Sequence, residues 1–376
     1  MKVDRIHIRN FKRFQDLDAS FRNDAVDAPV GRRLVLGDNG SGKTTFLQAV
    51  ALPLALATKQ IRDLEDFDWS GFVAGRHFRW GPPQIEVDVL FTPEELTATQ
   101  EAALRWDESR SAVDRLERPL ILPGNSPRVR LHLDGASCRA NTPEEYFQFS
   151  GRYYARQLLK RDASVRSLFR SLPGAFWFDQ YRNLSAGYLR SPQHLQGGNG
   201  SSDVDAGMSQ SRVAQVVGVE QLRKHLTGWW IAQQYRPADD PNNWLTRLES
   251  LYQQAFPGRS FAGLEPMPGA AAPSSDDYYF LLTDGNRTYD LAEMSAGEQA
   301  IFPILFEFTR LSIANSVVLI DEVDLNLHPP AAQRLIRLLP RLGGDCQFVL
   351  TTHSDAVSEV IGPHDTYRLP GGALCL

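Results

Sequence analysis

The chain has 376 residues, 42% of them apolar, enough to bury one large core or two modest ones. No run approaches the ~18–20 consecutive apolar residues that cross a bilayer, and the first ten residues lack the apolar stretch of a secretory signal, so a cytoplasmic protein with no membrane partner is expected. A formal charge of −5 excludes a uniformly basic surface, and the scattered cysteines Cys138, Cys346 and Cys375 exclude a zinc or disulfide framework, leaving oxygen ligands for any metal.

In chain order, Val3, Ile6 and Ile8 mark a first strand, and Phe11, Phe14, Leu17 and Phe21 a second, before an Asp/Pro/Gly turn region at 24–31. Residues 33–36 form a short apolar strand entering Gly37, and the Ala/Leu-rich stretch 44–58 predicts a helix leaving it. Period-two segments at 85–91 and 129–133 predict a small antiparallel sheet, with a polar helical piece at 93–116 between them. Residues 142–172 read as helical. Residues 196–211 carry too many Gly and Ser and too few apolar groups to pack, which predicts a mobile loop, and 266–277 predicts a second. A strand at 278–282 and a helix at 296–311 follow. The unbroken apolar runs 317–320 and 347–350 suit parallel strands covered on both faces, with 330–342 as the crossover helix. The fold class expected is α/β: a mixed sheet with a parallel core, an antiparallel N-terminal sheet and a helical insertion. The expected division is 1–92, 93–235 and 236–376.

Residues 37–45, Gly-Asp-Asn-Gly-Ser-Gly-Lys-Thr-Thr, fit G-x-x-x-x-G-K-[ST] throughout and lie between a strand and a helix, the context that motif requires. Glycines let the backbone curl so that the N–H groups around Asn39, Gly40, Ser41, Gly42 and Thr45 face the phosphates of ATP, and the helix N-terminus adds positive potential. Lys43 would bridge the β- and γ-phosphates, and Thr44 would offer its hydroxyl to Mg²⁺. The alternative, a glycine turn that happens to carry a lysine, is set aside because strand and helix are both present. Far downstream the strand at 317–320 ends in Asp321 and Glu322. Beside a phosphate cradle, Asp321 would hold Mg²⁺ and Glu322 would polarise the attacking water, against the bland reading of a solvated acidic turn.

Residues 294–299, Met-Ser-Ala-Gly-Glu-Gln, resemble the L-S-G-G-E/Q signature of ABC ATPases, and they precede Asp321 by about one helix. The order of Walker A, long insertion, signature, Walker B and a histidine after a strand, His353, is that family's order. The resemblance implies an ABC-type head in which Ser295, Gly297 and Glu298 serve the γ-phosphate bound to a partner copy, and hence a head-to-tail dimer. Met294 replaces the usual Leu and Ala296 the first Gly, which bears on the tightness of the turn but leaves its donors. The resemblance also implies that His353 is the switch histidine, that Gln180 is the Q-loop glutamine near both Mg²⁺ and the attacking water, and that 324–329 is the D-loop, with His328 structural. An exposed loop amide is the other reading of Gln180, and Arg182 is a neighbour able to reach phosphate.

The opening Asn10-Phe11-Lys12-Arg13-Phe14 is similar to the N-F-[KR]-x-F start of the RecF, Rad50, SMC and OLD group, and 321–329 is similar to its AAA15/AAA21-like relatives. In that group a basic residue of the first strand pair lies near nucleotide or DNA, so Arg13 and Lys12 are candidates, against solvated edge charges. No heptad pattern persists, so no long coiled-coil arm is expected. OLD enzymes append a nuclease module, whereas this sequence runs only to Leu376, and no nuclease of its own is expected. The resemblance therefore implies an ATPase working with a separately encoded nuclease or toxin in bacterial anti-phage defence, as in stand-alone defence ATPases of the PtuA type. The alternatives are a RecF-like DNA-binding repair ATPase and a nucleotide-gated scaffold with little turnover. Arg152, Arg156 and Lys160, spaced by four, would form a basic helical stripe, followed by Arg161, Arg166 and Arg170, that contacts DNA, an acidic partner or only solvent.

Overall fold

The computed structural model describes residues 1–23, 27–180, 218–235, 243–269 and 277–370. The loop expected at 196–211, residues 270–276 of the second loop, and Arg182 lie outside them. No helix among the described residues is long and apolar enough to cross a membrane.

Strand β1 (Lys2–Phe11) pairs antiparallel with β2 (Phe14–Ser20), and β3 (Arg22–Asn23) with β4 (Ala28–Pro29) forms a short separate hairpin. Strand β5 (Arg32–Leu36) leads into α1 (Lys43–Ala57). There follow β6 (Gln84–Leu90), α2 (Pro93–Glu108), α3 (Ala112–Glu117), β7 (Arg128–Asp134) and β8 (Ser137–Arg139). The sheet expected from 85–91 and 129–133 is larger than two strands, because β1 docks on β6 and gives the order β2-β1-β6-β7-β8. Register explains why: Ile6 faces Val87, which faces Leu131, and Ile8 faces Ile85, which faces Leu133. These rows form one apolar face, which packs on α1. Every residue of α1 except Thr44 and Thr45 is buried, so the helix needs no polar face and is legible by composition rather than by amphipathic period.

The polar piece expected at 93–116 is two helices, because Ser111 caps a new start by accepting from Asp114 N. The helical stretch expected at 142–172 is likewise made of several short pieces. Helix α4 (Pro143–Phe147), a 3-10 turn (Gln148–Ser150), α5 (Gly151–Leu159) and a longer 3-10 stretch (Ala163–Arg170) occupy it. Asp162 ends the run by accepting from Ser164 N at 2.9 Å, a local bond that competes with continued helix.

Strand β9 (Ala175–Phe178) is followed by α6 (Val219–Gln234), α7 (Trp244–Ala255), β10 (Ser260–Pro266), β11 (Tyr278–Thr283) and β12 (Thr288–Asp290). The chain continues through α8 (Ala296–Arg310), β13 (Val317–Ile320), α9 (Pro329–Leu342), β14 (Gln347–Thr351), α10 (Asp355–Ser358) and β15 (Thr366–Arg368). A parallel sheet of order β15-β5-β14-β13-β9 lies at the centre, with its strands buried on both faces as the apolar runs predict. Alternate residues serve two cores. Val35, Trp177, Leu319 and Val349 join α1 and the antiparallel sheet, whereas Leu34, Phe178, Ile320 and Leu350 join α7, α8 and α9.

The basic stripe is corrected by α5. Arg152 is 5% exposed and donates to the carbonyls of Leu172, Phe169, Leu311 and Ser312, at 2.8–3.0 Å. Burial pulls its guanidinium down to about 9. Arg156 donates back to Arg152 O at 3.2 Å and is also pushed down by burial, leaving Lys160 alone exposed among the three. Arg152 and Arg156 are turned into the protein, so the three side chains do not form a continuous basic stripe at the surface.

Candidate active site

All five strands of the parallel sheet run the same way, so their C-terminal ends line one edge, the place where open α/β sheets bind ligands. Strand order sets out what meets there. The glycine loop follows β5, His353 follows β14, Asp321 and Glu322 follow β13, and Gln180 lies two residues beyond β9. Ile320 pairs with both Leu350 and Phe178, so these tips are level.

The glycine loop is tightly built. A Cβ on Gly37 would lie 2.4 Å from Ser41 Oγ, and Gly42, with φ of 103°, has Arg13 Cδ 2.5 Å from where a Cβ would sit. Arg13 thus covers the start of α1, with its exposed side chain against the loop. Lys12 does not share that role. Its ammonium donates to Gln48 Oε1 at 2.5 Å and Gly71 O at 2.8 Å, and burial lowers it to about 8. Lys43 donates to Gly37 O at 2.9 Å and to Asp38 O at 3.3 Å along the loop. Among the described residues Ser41 Oγ is buried without a hydrogen-bond partner, an unmet polar group inside the cradle.

Around Asp321 the chemistry is dense. Asp321 is fully buried, accepting from the Thr44 hydroxyl at 2.7 Å on one oxygen and from the Thr351 hydroxyl at 2.6 Å on the other. The same Thr351 oxygen accepts from Glu322 N at 2.7 Å. Glu322 is held there in the left-handed region, φ 47°, a conformation that costs a residue with a Cβ on the order of 1 kcal/mol or more. Its carboxylate meets His353 Nε2 at 3.0 Å, and His353 Nδ1 meets the Lys43 ammonium at 3.3 Å. An ammonium only donates, so Nδ1 accepts and Nε2 carries the proton given to Glu322. Burial raises the Glu322 carboxyl, with His353 and Lys43 opposing, while burial lowers the Lys43 ammonium and Glu322 and Asp321 oppose that.

The donor set suits magnesium. Among the described residues no three His, Cys, Asp or Glu side chains group to hold a metal alone. The hydroxyl of Thr44 and the carboxylate of Asp321 instead converge as two hard oxygens, which is what an ion held mostly by water and phosphate needs.

Ser295 caps α8 in a reciprocal box: its hydroxyl gives to Glu298 Oε2 at 2.6 Å, its amide gives to the same oxygen at 2.9 Å, and Glu298 N returns to Ser295 Oγ at 3.4 Å. Ser295 and Ala296 are exposed and Gly297 half-buried, so the start of α8 lies at the surface while the Ser295 hydroxyl and amide turn to Glu298. Glu298 itself is 1% exposed and also receives Tyr289 OH at 2.8 Å, Tyr252 OH and the Arg259 guanidinium. His328 is exposed and caps α9 through its backbone carbonyl, which accepts from Ala331 N and Ala332 N. Asp324 accepts from the Thr352 hydroxyl, which in turn accepts from Ser354 N at 2.9 Å. Gln180 is half-buried at the described edge of β9.

Thr351, Tyr252, Tyr289 and Arg259 are site residues that the motifs did not reveal. For Thr351 the signal was present, a hydroxyl two positions before His353 at the end of an apolar strand. For the other three no sequence signal exists, because they reach Glu298 from α7, the turn before β10, and β12.

Two family profiles match the chain. Residues 145–359 match the family described as AAA domain, putative AbiEii toxin, Type IV TA system, and residues 1–79 match the AAA ATPase domain. Among curated relatives, the Retron Ec83 probable ATPase of Escherichia coli is 32% identical over 104 residues, which takes in 24% of this chain and 19% of that protein. The DNA replication and repair protein RecF of Heliobacterium modesticaldum is 24% identical over 401 residues, 100% of this chain and 99% of that one. The Retron Vc95 probable ATPase of Vibrio cholerae is 20% identical over 400 residues, covering 96% and 72%. Among solved structures, an SMC head bound to the C-winged helix domain of ScpA aligns with a TM-score of 0.48 at 13% identity, covering 96% of this chain and 92% of that one.

Proposed function

We propose that this chain, which belongs to the family described as AAA domain, putative AbiEii toxin, Type IV TA system, hydrolyses ATP as a head-to-tail pair and uses nucleotide occupancy to switch an effector-holding complex. The observation that carries the reading is the convergence of Lys43, Thr44, Asp321, Glu322 and His353 within hydrogen-bond reach at one sheet edge.

In this reading the backbone N–H groups of residues 39–45 cradle the phosphates, Lys43 leaves the carbonyls of Gly37 and Asp38 for the β- and γ-oxygens, and Arg13 flanks the cradle. Thr44 and Asp321 would hold Mg²⁺, which when bound would supply positive charge against the phosphates. Glu322 aligns a water for attack on the γ-phosphorus and accepts its proton as the bond to the bridging oxygen breaks. His353 positions that carboxylate and would turn to the γ-phosphate, and Gln180 would serve the attacking water and the metal. Ser295 and the N–H groups at Ala296 and Gly297 of the second copy complete the site across the dimer, and Glu298 fixes their direction. ATP then binds the closed pair better than the open one, and that differential affinity sets the closed population.

Likeness to two retron ATPases supports placing the switch in phage defence, with a separately encoded nuclease or toxin as partner. The end-to-end match to RecF favours a second reading, a DNA-binding ATPase of repair. The test common to both is Glu322→Gln. Turnover should fall on the order of a hundredfold or more while ATP stays bound. Near-normal turnover removes Glu322 from the role of base.

A further inference from the structure

The loop from Trp69 to Pro83, between α1 and β6, is absorbed by none of the chemistry above. Its two ends are anchored. Lys12 Nζ donates to Gly71 O at 2.8 Å and Gln48 Nε2 to Ser70 O at 3.0 Å, while His77 is buried with Nε2 3.0 Å from Gly135 O on the β7–β8 turn. Held this way, the loop presents large apolar groups to solvent: Trp80 is 64% exposed and Phe78 52%. Arg79 lies over the Trp80 ring, 5.1 Å from its centroid, and the indole keeps most of its surface exposed. Arg76 is exposed on the same loop.

Charge separates this patch from an ordinary apolar spot. No Asp or Glu occurs between Asp68 and Glu86 in a chain whose net charge is −5. Arg9 pairs with Gln84 and Gln84 with Asp134, so the β1–β2 turn, this loop and the β7–β8 turn share one end of the antiparallel sheet. That end gathers Arg9, Lys12, Arg13, Arg76 and Arg79, with Asp16 and Asp134 as its carboxylates, and two rows further in Arg139 is level with Glu86. Lys12 is spent on the loop itself and Arg9 lies 3.8 Å from Asp16, so the remaining arginines set the sign of the surface. Arg13 carries the same surface to the start of α1.

We propose that this loop is a binding site for single-stranded nucleic acid, with Trp80 and Phe78 stacking unpaired bases and Arg76 and Arg79 meeting the adjoining phosphates. An exposed indole beside a guanidinium fits a base step, since every base has a π-face and every step a phosphate. A duplex hides its base faces and would use only the arginines. The site adjoins the nucleotide cradle through Arg13 but does not depend on the roles proposed for Glu322 or Ser295, so it stands or falls separately from them.

The test is fluorescence anisotropy of labelled oligo(dT), and of a blunt duplex of equal length, with the full chain, with and without ATP and Mg²⁺. Trp80→Ala should weaken oligo(dT) binding about tenfold and leave duplex binding nearly unchanged. Arg76→Ala with Arg79→Ala should flatten the salt slope by about 0.7 per lost phosphate contact on the single strand. Basal ATP turnover and the melting temperature should be unchanged in Trp80→Ala, since the ring is exposed. Equal affinity of wild type and Trp80→Ala for oligo(dT) overturns the proposal, as does a preference for the duplex or no binding of either in both nucleotide conditions.

Discussion

At Glu298 a single buried carboxylate receives the Ser295 hydroxyl and amide, two tyrosine hydroxyls and an arginine. Burial pushes its carboxyl up, yet Arg259, Ser295 and the tyrosines outweigh it and hold the group at about 2, from an ordinary 4.5. A depressed pKa gives stability that is present above the unfolded value and lost as the pH falls through the folded one. The window is therefore pH 4.5 down to about 2, and the stability at stake is on the order of 3 kcal/mol. Glu298→Gln should lower the melting temperature at neutral pH and flatten its decline across that window. A variant that tracks wild type at every pH contradicts the network. The motif made Glu298 legible as a site residue, but one-dimensional spacing carries no burial, so its inward direction was not. Asp321 and Thr44 were legible because each motif has few chemical uses beside the other.

At the scale of elements, α5 shows where periodicity stops. Spacing by four places Arg152, Arg156 and Lys160 on one helical face, but it does not say whether that face meets water or protein. Here Leu172, Phe169, Leu311 and Ser312 offer carbonyls, and Arg152 supplies donors to all four in a fixed fork. Arg152→Ala strands these carbonyls and should cost about 3 kcal/mol or more in urea denaturation. Arg152→Lys, with three donors, should fall between. Stability within ~0.5 kcal/mol of wild type for Arg152→Ala would show that water replaces the clamp. Period-two strands and the Ala/Leu helix α1 were readable because both are set by burial on named faces. Helices α6 and α7 and strand β10 were not, since their apolar residues pack on partners distant in sequence.

Over the whole molecule, the central parallel sheet serves two cores at once. On one face it packs the glycine-loop helix and the antiparallel sheet, and on the other α7, α8 and α9. The same edge that collects Lys43, His353, Asp321, Glu322 and Gln180 therefore sits between the layer bearing Arg13 and the layer bearing Ser295. The parallel core was visible in the sequence through its unbroken apolar runs, whereas the five-strand extent of the antiparallel sheet depended on the β1–β6 register. The central claim is that each site is shared, Lys43 from one copy and Ser295 from the other. It is tested most directly by mixing two variants, Lys43→Ala and Ser295→Arg, each silent alone, and measuring phosphate release. A head-to-tail pair has two equivalent sites, so random mixing leaves one intact site in each heterodimer and should restore about a quarter of wild-type turnover. Heterodimers that form but release no more phosphate than either variant alone would contradict the account.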